Sequence, residues 1–143
     1  MTHLEDYRIN IKIKLSAMWA SLMLCYVYCD FFTLFVPGHI QSLMDGQSGV
    51  GKTTPASILM FALLMSVPAL MVFLSVALPS KINRRTNITV GIIFTLIMTL
   101  VVATSLGEWM LFYIYFGIVE IALASAIVWR SWNWPRQETL GLK

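Results

Sequence analysis

Residues 88–106 read ITVGIIFTLIMTLVVATSL, nineteen positions without a charged side chain. A membrane-crossing helix needs about 20 mostly apolar residues to span roughly 30 Å of hydrocarbon, and this stretch meets that length. Gly107 ends it, and a second apolar run follows at residues 109–129. Two more lie upstream, at residues 15–36 and 55–78. The breaks have physical causes. Pro37-Gly38 stops the first run, because proline lacks an amide donor and restricts its predecessor. Thr54-Pro55 reads as a helix N-cap with proline in the first helical position. Pro79 closes the second run. Transmembrane β-strands alternate in segments of about ten residues, whereas these runs are continuous, so helices are expected. Only residues 8–15 alternate, and ahead of a span they read as a basic juxtamembrane lead-in.

Composition agrees. The chain of 143 residues is 58% hydrophobic and only 12% charged, with a mean hydropathy of +0.76. Soluble domains run near 25% charged, so a soluble fold, a disordered chain and a disulfide-framed secreted module are all excluded. An even number of spans puts both termini on one side. That side holds Arg8, Lys12, Lys14, Lys81, Arg84, Arg85, Arg130, Arg136 and Lys143, against Lys52 alone on the other. Nine cations to one orients the termini to the cytoplasm. Trp19, Trp129, Trp132 and Trp134 fall near the cytoplasmic interface and Trp109 near the outer one, as an aromatic belt would. The first run is too long for a signal-peptide core and is expected to remain as a helix. The loop at residues 37–54, rich in Gly, Ser and Gln, faces outward and is expected to be mobile.

Within that loop, residues 46–53 read GQSGVGKT, a full match to the phosphate-binding pattern GxxxxGK(S/T), from Gly46 through Lys52 and Thr53. The pattern works when a buried strand precedes it and a helix follows, so that backbone amides cradle phosphate. Here a membrane helix precedes it, no strand-forming segment exists, and the loop faces away from cytoplasmic ATP. The match is read as fortuitous, and neither nucleotide nor any other cofactor is expected.

Two carboxylates fall inside spans. Glu120 is central in the fourth and Asp30 nears the outer end of the first. A charged acid at the bilayer centre costs about 2.5–3.5 kcal/mol on insertion scales, so such residues face the interior, pair, or serve transport. Counting from the turn at Gly107 puts Thr95 level with Glu120. Gly91, Thr95, Thr99 and Ala103 recur every fourth residue as a small face that lets helices approach closely. Tyr113, Gly117, Glu120 and Ala124 form the facing stripe, so Glu120 is expected to reach Thr95 or Thr99. Trp19, Tyr26, Asp30 and Thr33 form a polar-aromatic stripe on the first helix. Pro68 should kink the second and free a carbonyl. The candidate proton, cation or polar-network residues are therefore Glu120, Asp30, Thr95, Thr99 and Tyr26. Cys25 and Cys29, four apart on one helix, read as apolar packers. His3 and His39 fall on opposite sides of the membrane, so no metal site is expected.

Residues 4–15 (LEDYRINIKIKL), then Tyr26, Tyr28 and Asp30, then Val36-Pro37-Gly38, resemble a bacterial family of small four-helix membrane proteins catalogued as a domain of unknown function. Residues 66–74 (SVPALMVFL), Val119-Glu120 and Trp132-Asn133-Trp134-Pro135 extend that resemblance over nearly the whole chain. It implies four spans and a bacterial inner membrane, with Asp30, Pro37, Pro68 and Glu120 in the family pattern and Lys52 outside it. Small multidrug exporters carry their essential glutamate in the first helix, and quinone-linked thiol oxidases need paired loop cysteines, so both fit worse.

The reading is all-α: one polytopic four-helix membrane domain, residues 1–143, with both termini cytoplasmic. A non-enzymatic structural or interaction role is expected. The alternative is a small proton- or cation-coupled transporter or channel using Glu120 and Asp30. Expected partners are the bilayer, anionic lipids at its cytoplasmic face, and a second copy in a homodimer, with no nucleic acid.

Overall fold

The computed structural model describes residues 9–48, 51–105 and 107–135, apart from the side chain of Glu108. Arg8, Arg136 and Lys143, counted above toward the basic side, lie outside the described residues, as do His3, Gly49 and Val50. The long helices are α1 (Ile11–Thr33), α3 (Pro55–Ala77), α4 (Ser80–Thr104) and α5 (Leu111–Trp132). All four are long and apolar enough to cross a membrane. A short helix α2 (His39–Met44) and strands β1 (Gln47–Ser48) and β2 (Gly51–Lys52) occupy the connection between α1 and α3.

Local chemistry explains the helix ends. The Asn10 side chain caps α1 by accepting from Lys12 N at 2.9 Å. Thr54 caps α3 in a reciprocal capping box with Ser57, and Pro55 takes the first helical position, where its missing N–H costs nothing. Leu78 and Pro79 are both extended and join α3 directly to α4. The helix therefore restarts at Ser80, eight residues before the apolar run at residue 88. Hydropathy marks where a helix enters hydrocarbon, not where it begins, so Lys81, Arg84 and Arg85 ride on the first turns of α4. For the same reason α1 begins at Ile11, and the alternating lead-in is largely helix.

The helices run antiparallel to their neighbours. α1 packs against α3 and α5, α5 packs most extensively against α4, and α3 meets α4 lightly. The core lies where Leu15, Trp19, Leu22 and Tyr26 of α1 meet Met71, Phe94, Met98, Ala124 and Ile127. The N-terminus of α1, the joint between α3 and α4, and the C-terminus of α5 share one end of the bundle. Lys12 Nζ donates to Leu78 O at 2.6 Å and Val76 O at 3.3 Å, serving carbonyls that α3 leaves free at its end. Arg84 Nε donates to Ser131 O at 3.2 Å and Nη2 to Trp132 O at 3.1 Å, doing the same for α5. We call this the basic end.

Four expectations change. Trp19 is fully buried, so it belongs to the core and not to an interfacial belt. The connection between α1 and α3, expected to have no strand, carries α2 and a two-stranded hairpin, whose register pairs Gln47 with Lys52 and Ser48 with Gly51. Gly46 and Gly51 take positive φ there, which glycine tolerates without steric cost. The carbonyl that α1 serves near Pro68 is that of Val72, which accepts from Ser16 Oγ at 2.7 Å; the carbonyl proline deprives is four residues before it, at Leu64. Finally, α4 buries Asn83, Asn87, Gly91, Phe94 and Met98, so of the run Gly91, Thr95, Thr99, Ala103 only Gly91 is fully buried. An every-fourth spacing drifts around a helix of 3.6 residues per turn, so Thr99 has turned outward and is exposed.

Candidate functional site

Two groups of polar side chains occupy the interior. The first lies near the basic end. Asn87 Oδ1 accepts from Trp19 Nε1 at 2.7 Å and from Ser75 Oγ at 3.2 Å. Its Nδ2 donates to Asn83 Oδ1 at 2.6 Å and to Asn83 O at 2.9 Å. Asn83 Nδ2 donates onward to Ser75 O. Trp19, Ser75, Asn83 and Asn87 all have no exposed surface. The two donors converging on Asn87 Oδ1 fix the amide orientation, since a flipped amide would set N–H against N–H. The network joins α1, α3 and α4 with its amides satisfied, the condition under which buried polar groups are tolerated.

The second group lies at mid-depth, where α1 meets α5. Glu120 is fully buried and Tyr26 is 5% exposed. Neither carboxylate oxygen of Glu120, nor the Tyr26 hydroxyl, has a hydrogen-bond partner. Cys29 of α1 is buried and Cys25 partly so, both as free thiols, and Glu120 lies within electrostatic reach of both and of Tyr26. An unpaired buried polar group costs about 1–3 kcal/mol, more if charged, so this arrangement stores a cost that the first group does not.

The remaining candidates are elsewhere. The register set by Arg84 with Ser131 and Gly91 with Ala124 puts Thr95 level with Glu120, as turn-counting from Gly107 requires. Yet Thr95 is half-buried and its hydroxyl donates to Gly91 O at 2.7 Å. Thr99 donates to Thr95 O at 2.7 Å. Threonines in helices commonly back-bond to the carbonyl four residues earlier, and neither threonine hydrogen-bonds to Glu120. Asp30 is exposed on α1. Of the five candidates, Glu120 and Tyr26 are buried within electrostatic reach of each other, Asp30 is exposed but within the same reach of Glu120, and Thr99 is exposed. The buried face of α5 is Gly117, Glu120, Ala124, Ile127 and Ser131.

Asn83 and Asn87 escaped sequence reading because they sit among Lys81, Arg84 and Arg85, ahead of the apolar run. A signal was available. Asn83, Asn87, Gly91, Phe94 and Met98 follow the helical period without a break.

Of the phosphate-loop match at residues 46–53, the flanks of Gly49-Val50 are described. Lys52 and Thr53 precede the α3 N-cap at Thr54 and pair in a hairpin, with Thr53 N donating to Gly46 O at 2.8 Å. Among the described residues no cluster of three or more His, Cys, Asp or Glu could hold a metal.

Two cavities stand out among the described residues. One, about 1350 Å³, opens at the basic end and is lined by Lys12, Lys81, Arg84, Arg85 and Trp134 among others. The other, about 340 Å³, lies at the opposite end between Phe32, Phe35, Trp109, Phe112 and Phe116. Glu120 lines neither. Across known proteins, a family model described as "Family of unknown function (DUF6326)" matches residues 3–141. No curated protein matches the chain, and no solved structure does.

Proposed function

The chain belongs to DUF6326, a family of unknown function, and from that premise we propose a non-enzymatic role for it as a structural or interaction subunit of the bacterial inner membrane. Both termini face the cytoplasm in this reading. The bilayer, with anionic lipid at the cytoplasmic face, and a second copy of the chain are its partners. One observation carries the reading: polar side chains are spent on joining helices. Asn87 ties three helices together, and Lys12, Ser16 and Arg84 each reach the backbone of a neighbouring helix. Orientation is tested in cells. With Cys25 and Cys29 replaced by alanine, Lys52→Cys reacts with a membrane-impermeant maleimide added outside, whereas Lys14→Cys reacts only after lysis. The opposite pattern removes the proposed orientation.

A second reading rests on its own observation, the unpartnered Glu120 carboxylate and Tyr26 hydroxyl. A proton or a small cation taken up there would satisfy what the protein leaves unsatisfied, so the chain would act as a small proton- or cation-coupled transporter or channel. Asp30, one turn beyond Tyr26 on α1 and exposed, would be the first group met from the opposite end. Proteoliposomes carrying the purified protein separate the two readings. No proton or monovalent-cation flux above empty liposomes is expected of a structural subunit. Flux that Glu120→Gln abolishes while the bundle stays folded would establish the transporter instead. Stability gives an independent measure. Removing an unpaired buried carboxylate relieves its cost, so Glu120→Leu should stabilise the bundle by about 1–2 kcal/mol in detergent unfolding. A destabilisation would mean that Glu120 has a partner in the bilayer.

A further inference from the structure

We propose that the cavity at the basic end is a binding site for a phosphate-bearing anion, held by Lys12, Lys81, Arg84 and Arg85. The proposal deepens the anionic-lipid partnership in the reading above, but it requires neither flux nor a particular orientation. The cavity, about 1350 Å³ and open to the surface, gathers these cations from two helices, with no acidic residue among its described lining. Lys12 and Arg84 are already placed by protein contacts. The first donates to Leu78 O and Val76 O, the second to Ser131 O and Trp132 O. Each keeps further N–H donors beyond those bonds, since an ammonium has three and a guanidinium five.

Among the described residues of the cavity, these cations crowd one another with no acid between them. Lys81 and Arg85 are like charges four residues apart on one helix, which repel. They sit with Arg84 in the opening turns of α4, where the helix dipole also disfavours cations. No acidic residue and no side-chain cap offsets this in the first turn, whose residues Ser80, Lys81 and Ile82 line the cavity as well. A bound anion reverses all of these effects together. Arginine pairs with phosphate oxygens through two parallel hydrogen bonds, and lysine adds a point charge. Ile9 and Ile82, more than half exposed at the cavity, set apolar surface beside the cations. Trp134 is half-buried there, and tryptophan favours the headgroup level of a bilayer. That mixture suits the phosphate of a lipid headgroup, and the same cations would take a free phosphate.

Thermal unfolding in nanodiscs tests the site and its source. Phosphatidylglycerol mixed into phosphatidylcholine discs should raise the wild-type melting temperature. Lys81→Gln/Arg85→Gln should weaken anion affinity about thirtyfold and remove most of that rise. Lys14→Gln, exposed and outside the cavity, should keep it. A lipid source is established if millimolar inorganic phosphate in pure phosphatidylcholine discs leaves the wild type unmoved, and a soluble source if phosphate reproduces the rise. Lys81→Arg/Arg85→Lys keeps the charge and should bind, guarding against a folding artefact in the glutamine pair. The proposal falls if neither anion shifts the wild type, if the glutamine pair responds as the wild type does, or if Lys14→Gln loses as much.

Discussion

Asn87→Leu should lower the stability of the bundle by about 3 kcal/mol. The substitution is nearly isosteric, so the loss is of polar contacts and not of volume. Asn87 accepts from Trp19 and Ser75 and donates twice to Asn83. Interhelical hydrogen bonds in membrane proteins average only about 0.6 kcal/mol by double-mutant cycle. The bonds alone would therefore give about 1–2 kcal/mol. The larger figure comes from what is left behind. The Trp19 indole N–H is fully buried and Asn87 Oδ1 is its acceptor, and an orphaned buried donor costs about 1–3 kcal/mol. Ser75 can turn its hydroxyl back to its own helix, so Ser75→Ala should cost under about 1 kcal/mol. Unfolding in mixed micelles, followed by circular dichroism, measures both. Equal losses from the two variants would place the weight on Ser75 and not on the indole. Trp19→Phe with Asn87→Leu should cost less than the sum of the single changes, because the orphan is removed with its partner.

The ease with which different parts could be read follows from how local their causes are. The α3 start was legible because Thr54-Pro55 is a complete signal within four residues, and the capping box with Ser57 forms there. The depth of Glu120 against Thr95 was legible because one turn at Gly107 sets the antiparallel register. What Glu120 touches was not, because Thr95 had a competing acceptor within its own helix, the carbonyl of Gly91. The start of α4 was misplaced for a different reason. Charge hid helix, since Lys81, Arg84 and Arg85 broke the apolar run while leaving the helical period intact. With that start misplaced, Asn83 and Asn87 drew no reading, and Trp19 read as an interfacial anchor. The three residues explain one another only when α1 and α4 face each other across the core, so no single segment contained the signal. The cavity at the basic end has the same character. Lys12 and Arg85 are far apart in sequence, and only the return of the chain through α3 brings the starts of α1 and α4 to one end.

Gly117→Ala should destabilise the bundle by about 2 kcal/mol, although alanine is the better helix former by about 1 kcal/mol. The sign of the result therefore decides between propensity and packing. A Cβ on Gly117 would overlap Val102 Cγ2 of α4. Further along the same seam the roles exchange, and a Cβ on Gly91 of α4 would come within 2.7 Å of Val128 Cγ2 of α5. Each helix thus offers a glycine to the other's valine, and close approach of this kind is what drives helices together where lipid and side chain are equally apolar. Alanine at position 117 must push Val102, and with it α4, away from α5. Val102→Ala removes the obstructing methyls and should restore most of the loss in the double variant. Gly91→Ala should respond in the same way to Val128→Ala, and neither rescue should work across to the other pair. A stabilised Gly117→Ala would show that propensity outweighs contact, and α4 and α5 would then lie further apart than described. The seam matters for chemistry as well, because Glu120 lies one turn from Gly117 on the same buried face of α5. Forcing the helices apart there would open the buried carboxylate to its surroundings. Gly117→Leu should therefore make Glu120 reactive toward a small hydrophobic carbodiimide, under conditions in which the wild-type residue stays unmodified.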